Sequence, residues 1–227
     1  READDVLYTW AGPEIAVAST KAYTTQLACM YMIALHLGML KGTINEEELT
    51  KIQESLKASP EMVEEVIKKE SAIKEFAYDK FNVNDVFFLG RGLDYYASLE
   101  GSLKMKEISY IHSEAYPAGE LKHGPIALIE EGTVVIALCT QTELLEKMMS
   151  NIKEVKARGA YVVALAKESD KAIEKEADKV FYIPDTKDDI APIPTVVILQ
   201  ILAYYLSVAR GCDVDKPRNL AKSVTVE

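Results

Sequence analysis

At 227 residues the chain is long enough for one good-sized domain plus a smaller piece, or for two small ones. Its 48% hydrophobic and 27% charged residues are the balance of an ordinary soluble globular protein. A formal net charge of −10 argues against a non-specific nucleic-acid surface, which would be basic, while a locally positive pocket for an anionic small ligand stays compatible with it.

Arg1-Glu2-Ala3-Asp4-Asp5 leads straight into the strand-like run Val6-Leu7-Tyr8-Thr9, as in a chain that begins partway through a domain. Ser19 or Thr20 then offers an oxygen to cap a helix N-terminus, and a long apolar-rich helix is expected from there to about Leu40, closed by Gly42. Two amphipathic, charged helices follow, at about Asn45–Lys57 and Pro60–Lys80. Proline suits a first helical turn because the N–H it lacks would be unpaired there anyway. This acidic helical pair reads as a connector.

From Asn84 the pattern changes to alternating strands and helices. Val86–Leu89 is a β-rich run, followed by Gly90-Arg91-Gly92 and a helix from about Asp94 to Ile111. A short strand near Ala115-Tyr116 leads into a loop with a brief helix over Gly119–Ile129. Strand Thr133–Thr140, helix Glu143–Arg158, strand Tyr161–Ala166, helix Asp170–Ala177, strand Val180–Ile183 and helix Ala191–Ala209 complete the series. Short apolar strands with interposed helices predict an α/β fold: a doubly wound five-stranded parallel sheet covered on both faces. Right-handed crossovers place the strand C-terminal ends, and with them a ligand, along one edge.

Two apolar stretches bear on a membrane reading. Ala28–Leu40 is broken by His36 and too short to span; Ile190–Ala209 carries two prolines, Gln200 and two tyrosines, where a span needs about 20 predominantly apolar residues. Both read as buried helices, and neither a membrane nor a nucleic acid is an expected partner. The three cysteines, Cys29, Cys139 and Cys212, are widely spaced, and the first two lie in apolar runs as packing thiols. His36, His112 and His123 are equally scattered, so no metal site and no cofactor are implied, and a reduced, cytoplasmic protein is the default.

The tail Pro217–Glu227 holds one lysine, Lys222, among small and apolar residues. Such a lysine can sit desolvated as a free amine and attack a carbonyl to form a Schiff base; the bland reading is a solvated chain end. Within the helix after Gly90-Arg91-Gly92, Glu100, Lys104 and Glu107 share one face. On a surface they would be minor ion pairs, whereas in a pocket they give a carboxylate kept ionised by an ammonium, which suits a general base. Glu100 and Lys106 read as structural, and the glycines flanking Arg91 as serving the tight bend. His123, in a loop closed by Gly124-Pro125, is placed for proton transfer near neutral pH, while His112 reads as a hydrogen-bonding residue. Amine, carboxylate–ammonium face and imidazole together suit aldose–ketose isomerisation through an imine and an enediol-like intermediate.

The runs Glu100–His112 and Ala115–Pro125, the tail from Asp213 to Glu227, and the early segment Ala11–Lys21 closely resemble glucosamine-6-phosphate synthase, the glutamine–fructose-6-phosphate aminotransferase (isomerising) family. The resemblance covers essentially the whole chain. It implies a sugar-isomerase (SIS), flavodoxin-like αβα sandwich, divided as 1–42 (the end of a first SIS domain), 43–82 (helical connector), 83–211 (second SIS domain) and 212–227 (active-site tail). It also implies that Lys222 opens and captures fructose 6-phosphate as a Schiff base and that Glu107 moves a proton between C1 and C2. Lys104 looks like the lysine supporting charge near the open-chain oxygens, and His123 like the ring-opening histidine that reaches the site of a neighbouring subunit in a homodimer. Val17 and Ala221 match positions whose backbone contacts the sugar, and the product would be glucosamine 6-phosphate.

The sequence departs from that family in lacking a glutaminase domain and most of the first SIS domain, where the family's phosphate loop lies. Weak or no synthase activity is therefore expected of these residues alone. Two further readings stay open: an SIS-type deaminase or ammonia-dependent isomerase on the same sugar phosphates, and a non-catalytic SIS module that binds a sugar phosphate to regulate a partner. The second would need neither Lys222 nor Glu107.

Overall fold

Five strands form the centre of the structure, a computed structural model that describes residues 2–221. β1 (Asp85–Gly90), β2 (His112–Pro117), β3 (Val134–Cys139), β4 (Tyr161–Lys167) and β5 (Lys179–Ile183) are all parallel, in the order β2-β1-β3-β4-β5. The sheet is five-stranded and covered by helices on both faces, as the sequence pattern predicts. β3 is buried at every position, which is why its sequence, Val-Val-Ile-Ala-Leu-Cys, shows no polar alternation.

Alternate residues feed two cores. Val86, Phe88, Ile136, Leu138, Val163 and Leu165 face helices α3 (Ser59–Lys68), α4 (Glu70–Lys80), α5 (Leu93–Lys104) and α7 (Pro192–Ala209). Phe87, Leu89, Val135, Ala137, Val162 and Ala164 face α6 (Leu145–Lys156) through Met148, Ile152 and Val155, with Leu121 and Ile173 from short 3₁₀ turns. Burying each such large side chain contributes about 1.5–3 kcal/mol, so the two layers hold the sheet from both sides. α7 has the length and apolarity to cross a membrane, but 67% of it is buried inside the protein, as a core helix is. Gly101 of α5 makes the crossing with α7 close: a β-carbon there would lie 2.6 Å from Leu199 Cδ1.

Several boundaries differ from the sequence reading. Val6–Thr9 forms no strand and pairs with none among the described residues, and Val6, Leu7 and Tyr8 are exposed. The helix expected over Pro60–Lys80 breaks at Lys69, whose non-helical backbone (φ −92, ψ 6) lets α3 and α4 each lie against α7. The Asp94–Ile111 helix is α-helical only to Lys104, then widens into a π segment, Met105–Ser109, ended by Tyr110 in the left-handed region (φ 59). Asp170–Ala177 holds only a 3₁₀ turn, Lys171–Lys175, because the link from β4 to β5 is short.

The expected burial of the first long helix is corrected as well. α1 (Lys21–Leu40) buries only Cys29 and Leu35, while Met30, Met32, Ile33, Leu37 and Leu40 are exposed. Its described neighbours, α2 (Glu46–Lys57) and α7, cover one side and leave an apolar face open. α2 itself starts at Asn45 through a capping box with Glu48.

Candidate active site

The far end of α5 carries the cluster. Glu100, Lys104 and Glu107 fall on one face because they are spaced by four and three residues along α5 and the π segment that continues it. Lys104 is 3% exposed, with its Nζ 2.6 Å from Glu107 Oε2 and 3.5 Å from Glu100 Oε1. Both oxygens are buried, and the Lys104 ammonium is the cation they face. Burial pushes the Glu100 carboxyl above its ordinary value; Lys104 opposes that rise and Glu107 adds to it. Two carboxylates thus share one cation.

The opposite side of the same turn is fixed to the sheet. Lys106 Nζ donates to Ser102 Oγ (3.0 Å) and to the Ser113 carbonyl (2.9 Å), and Ser113 Oγ donates to the Ser102 carbonyl (2.9 Å). Ser109 Oγ donates to the Met105 carbonyl at 2.6 Å, satisfying a group the wide π turn frees. This anchoring sets the rotation of α5, so the structural reading of Lys106 stands.

Lys104 faces a cavity of about 220 Å³ whose walls include Ala16, Ala18, Thr20, Ile108, Gln200, Tyr204, Val214 and Asp215. The wall from Pro13 to Lys21 is shaped by Glu14 Oε1, which accepts from Thr20 N (2.6 Å) and Thr20 Oγ1 (2.8 Å), and by Lys21 Nζ donating to the Pro13 carbonyl (2.6 Å). Val17 N–H donates to the Asp215 carbonyl at 3.0 Å, joining this segment to the tail. Asp213 Oδ1 accepts from the amides of Asp215 and Lys216, and Tyr110 Oη accepts from Arg218 N–H at 2.8 Å.

Of the residues singled out in the sequence, Lys104, Glu107 and the Val17 segment therefore come together. Ala221 is the last described residue and is exposed; Lys222 lies outside the described residues. His123 is exposed in the loop after β2, with Glu120 at 4.0 Å, whereas Glu107 precedes β2. The strand between them is six residues, about 20 Å. Within one chain His123 does not join the cluster. His112 pairs with Asp85 at 2.8 Å, a hydrogen-bonding role as expected.

At the C-terminal ends of β3 and β4 two internal carboxylates accept from the protein's own donors. Asp94 accepts from Thr140 N (2.7 Å) and Thr140 Oγ1, and Asp188 accepts from Thr142 N (2.7 Å), Thr142 Oγ1 (2.7 Å) and Lys167. Burial raises the Asp94 carboxyl to about 6 despite the Thr140 bonds. A β-carbon at Gly90 would meet the Asp94 backbone at 2.4 Å, so this glycine serves the bend. Sequence reasoning missed Asp94, Asp188, Glu14 and Tyr110. Only the hydroxyl-rich Thr140-Gln141-Thr142 at a strand end signalled the first two.

The five-stranded parallel sheet covered by helices on both faces is an α/β fold of the doubly wound class. The SIS domain family profile matches residues 81–210, and the chain belongs to that family. All 227 residues align at 63% identity with glutamine–fructose-6-phosphate aminotransferase (isomerising) of Caldanaerobacter subterraneus subsp. tengcongensis, of which the chain spans 37%. The C-terminal domain of glucosamine–fructose-6-phosphate aminotransferase from Francisella tularensis is 38% identical with a TM-score of 0.85, over 90% of this chain and 58% of that one. A glucosamine-6-phosphate deaminase from Thermotoga maritima is 28% identical with a TM-score of 0.69, over 94% of this chain and 59% of that one. The chain thus resembles the C-terminal, isomerase portion of the aminotransferases and is a little over a third of their length.

Proposed function

We propose that these residues are the isomerase part of a glutamine–fructose-6-phosphate aminotransferase, which converts fructose 6-phosphate and glutamine-derived ammonia to glucosamine 6-phosphate. The observation that carries this reading is Lys104, buried between Glu100 and Glu107 beside a cavity walled by the Val17 segment and the tail. Lys222 condenses with the C2 carbonyl of the open-chain ketose and releases water. Ammonia then takes the place of the lysine amine on C2. Glu107 removes a proton from C1 and returns one to C2, while the C1 hydroxyl proton is lost and the C2 nitrogen gains one, leaving an aldehyde at C1 and an amine at C2. Lys104 pairs with Glu107 and holds a positive charge near the open-chain oxygens of the sugar.

His123 opens the sugar ring in the site of a second subunit, in keeping with its distance from this chain's own cluster, so the active form is a homodimer. Val17 and Ala221 contact the sugar through their backbones, and the enzyme works in the cytoplasm without a cofactor. Residues 1–42 complete a first SIS domain, which supplies the phosphate anchor and covers the open apolar face of α1. Residues 43–82 link it to a second SIS domain at 83–211, and 212–227 form the active-site tail. The experiment is borohydride trapping of the full-length enzyme with fructose 6-phosphate. A reduced adduct on Lys222 is expected, and an adduct elsewhere, or none, overturns the reading. The resemblance to a deaminase favours a second reading, which glutamine consumption against ammonia release in the same enzyme separates.

A further inference from the structure

Tyr110 plays no part in the chemistry above, yet it holds the tail. It follows directly on the π segment that carries Glu107, with its backbone in the left-handed region (φ 59), which residues with a β-carbon avoid. Its hydroxyl oxygen accepts from Arg218 N–H at 2.8 Å, and the Arg218 guanidinium lies 4.2 Å from its ring centroid. The same stretch of tail is held from the other side by Val17 N–H on the Asp215 carbonyl, by the Asp213 carboxylate on the Asp215 and Lys216 amides, and by burial of Pro217. Among the described residues, Arg218 is the last of the tail with a hydrogen bond or ring contact to the body, and Lys222 is four residues further on in the sequence.

We propose that Tyr110 is a positioning residue for the Schiff-base lysine. Its clamp on Arg218 fixes the point from which the tail presents the Lys222 amine, and it ties that point to the turn that orients Glu107. Amine and carboxylate must act on adjacent carbons, C2 and C1. Referring both to one turn sets their separation, and small misplacements of a nucleophile are costly in rate. This inference rests on Lys222 being the residue that captures the ketose.

The test uses the full-length enzyme and four variants: Tyr110→Asn, Tyr110→Phe, Arg218→Ala and the Tyr110→Asn/Arg218→Ala double. Asparagine tolerates the left-handed backbone, so the first variant removes hydroxyl and ring without new strain. Borohydride trapping of fructose 6-phosphate at Lys222 is expected to slow about 10-fold in Tyr110→Asn, the size of one hydrogen bond plus an exposed cation–π contact. Tyr110→Phe and Arg218→Ala lose less, and the double variant loses less than the product of its singles because both remove one contact. The turnover rate falls in step with trapping, while KM for fructose 6-phosphate and the thermal unfolding midpoint stay at their wild-type values. Trapping at the wild-type rate in Tyr110→Asn, losses that multiply in the double, or a raised KM at unchanged turnover would overturn the clamp. A wild-type enzyme that traps nothing at Lys222 sinks the Schiff-base reading itself, and the clamp with it. Should Tyr110→Asn fail to fold, Tyr110→Phe and Arg218→Ala carry the comparison.

Discussion

Replacing Lys104 by methionine tests whether the α5 cluster is a coupled charge site. Lys104 is 3% exposed, and its ammonium lies 2.6 Å and 3.5 Å from two buried carboxylate oxygens. Methionine occupies similar space without the charge, so packing is largely kept and the two carboxylates are left with no cation. Removing one partner of a buried ion pair costs about 3–5 kcal/mol. The loss carries a pH signature. Burial already raises the Glu100 carboxyl, Lys104 opposes that rise, and removing Lys104 lifts it further. A carboxyl whose folded value exceeds its unfolded one favours folding in its protonated form, and that contribution is lost as pH rises through the folded value. The variant's penalty is therefore largest near pH 8 and shrinks towards pH 5. Urea unfolding of wild type and Lys104→Met across that range reads it directly. Adding Glu100→Gln restores part of the loss at pH 8 by removing one uncompensated charge. A penalty below about 1 kcal/mol at pH 8, or one equal at both ends, refutes the coupled cluster.

Two further substitutions probe the scaffold. Burial raises Asp94 from an ordinary 3.8 to about 6, so the stability it gives in protonated form is present below about pH 4 and lost as pH rises through 6. Asp94→Asn removes that slope in a pH series of unfolding midpoints and costs about 1–3 kcal/mol by turning an amide N–H₂ towards a Thr140 donor; an unchanged slope refutes it. Gly101→Ala puts a β-carbon 2.6 Å from Leu199 Cδ1 and 3.0 Å from Phe88 Cε1, and overpacking of this kind costs about 1–3 kcal/mol. Thermal unfolding checks it, and a neutral outcome would mean that α5 and α7 part easily.

The sheet was legible because its evidence is local: every strand but the edge strand β2 contains an apolar run, and β3 and β4 announce two-sided burial through unbroken Val, Ile, Ala and Leu. The Glu100–Lys104–Glu107 face was legible for the same reason, since helical spacing alone aligns it. Burial of α1 was not, because apolar composition says that a face will be covered and not by what. The π turn and left-handed Tyr110 left no mark in the sequence: Met-Lys-Glu-Ile-Ser is good helix, and the widening is set by how Lys106, Ser102 and Ser113 tie α5 to β2. The pairing of Asp94 with Thr140 and Asp188 with Thr142 joins residues 46 apart in each case, beyond the reach of any periodicity.

Those two aspartates bear on where the proposed chemistry would sit. Open parallel sheets bind ligands where the strand order reverses, here between β1 and β3, because loop amides and a helix N-terminus converge there. In this chain the Thr140 and Thr142 amides and the Lys167 ammonium already serve internal carboxylates, which leaves an incoming phosphate to compete with two fixed anions. α5 runs from that edge for 12 residues, about 18 Å, and its other end carries the exchangeable charges. A lobe arranged in this way can move protons but is poorly made to hold a phosphate. Under the proposed function the anion must therefore be gripped by a different part of the enzyme, with this lobe bringing base, ammonium and tail to the opposite end of the sugar.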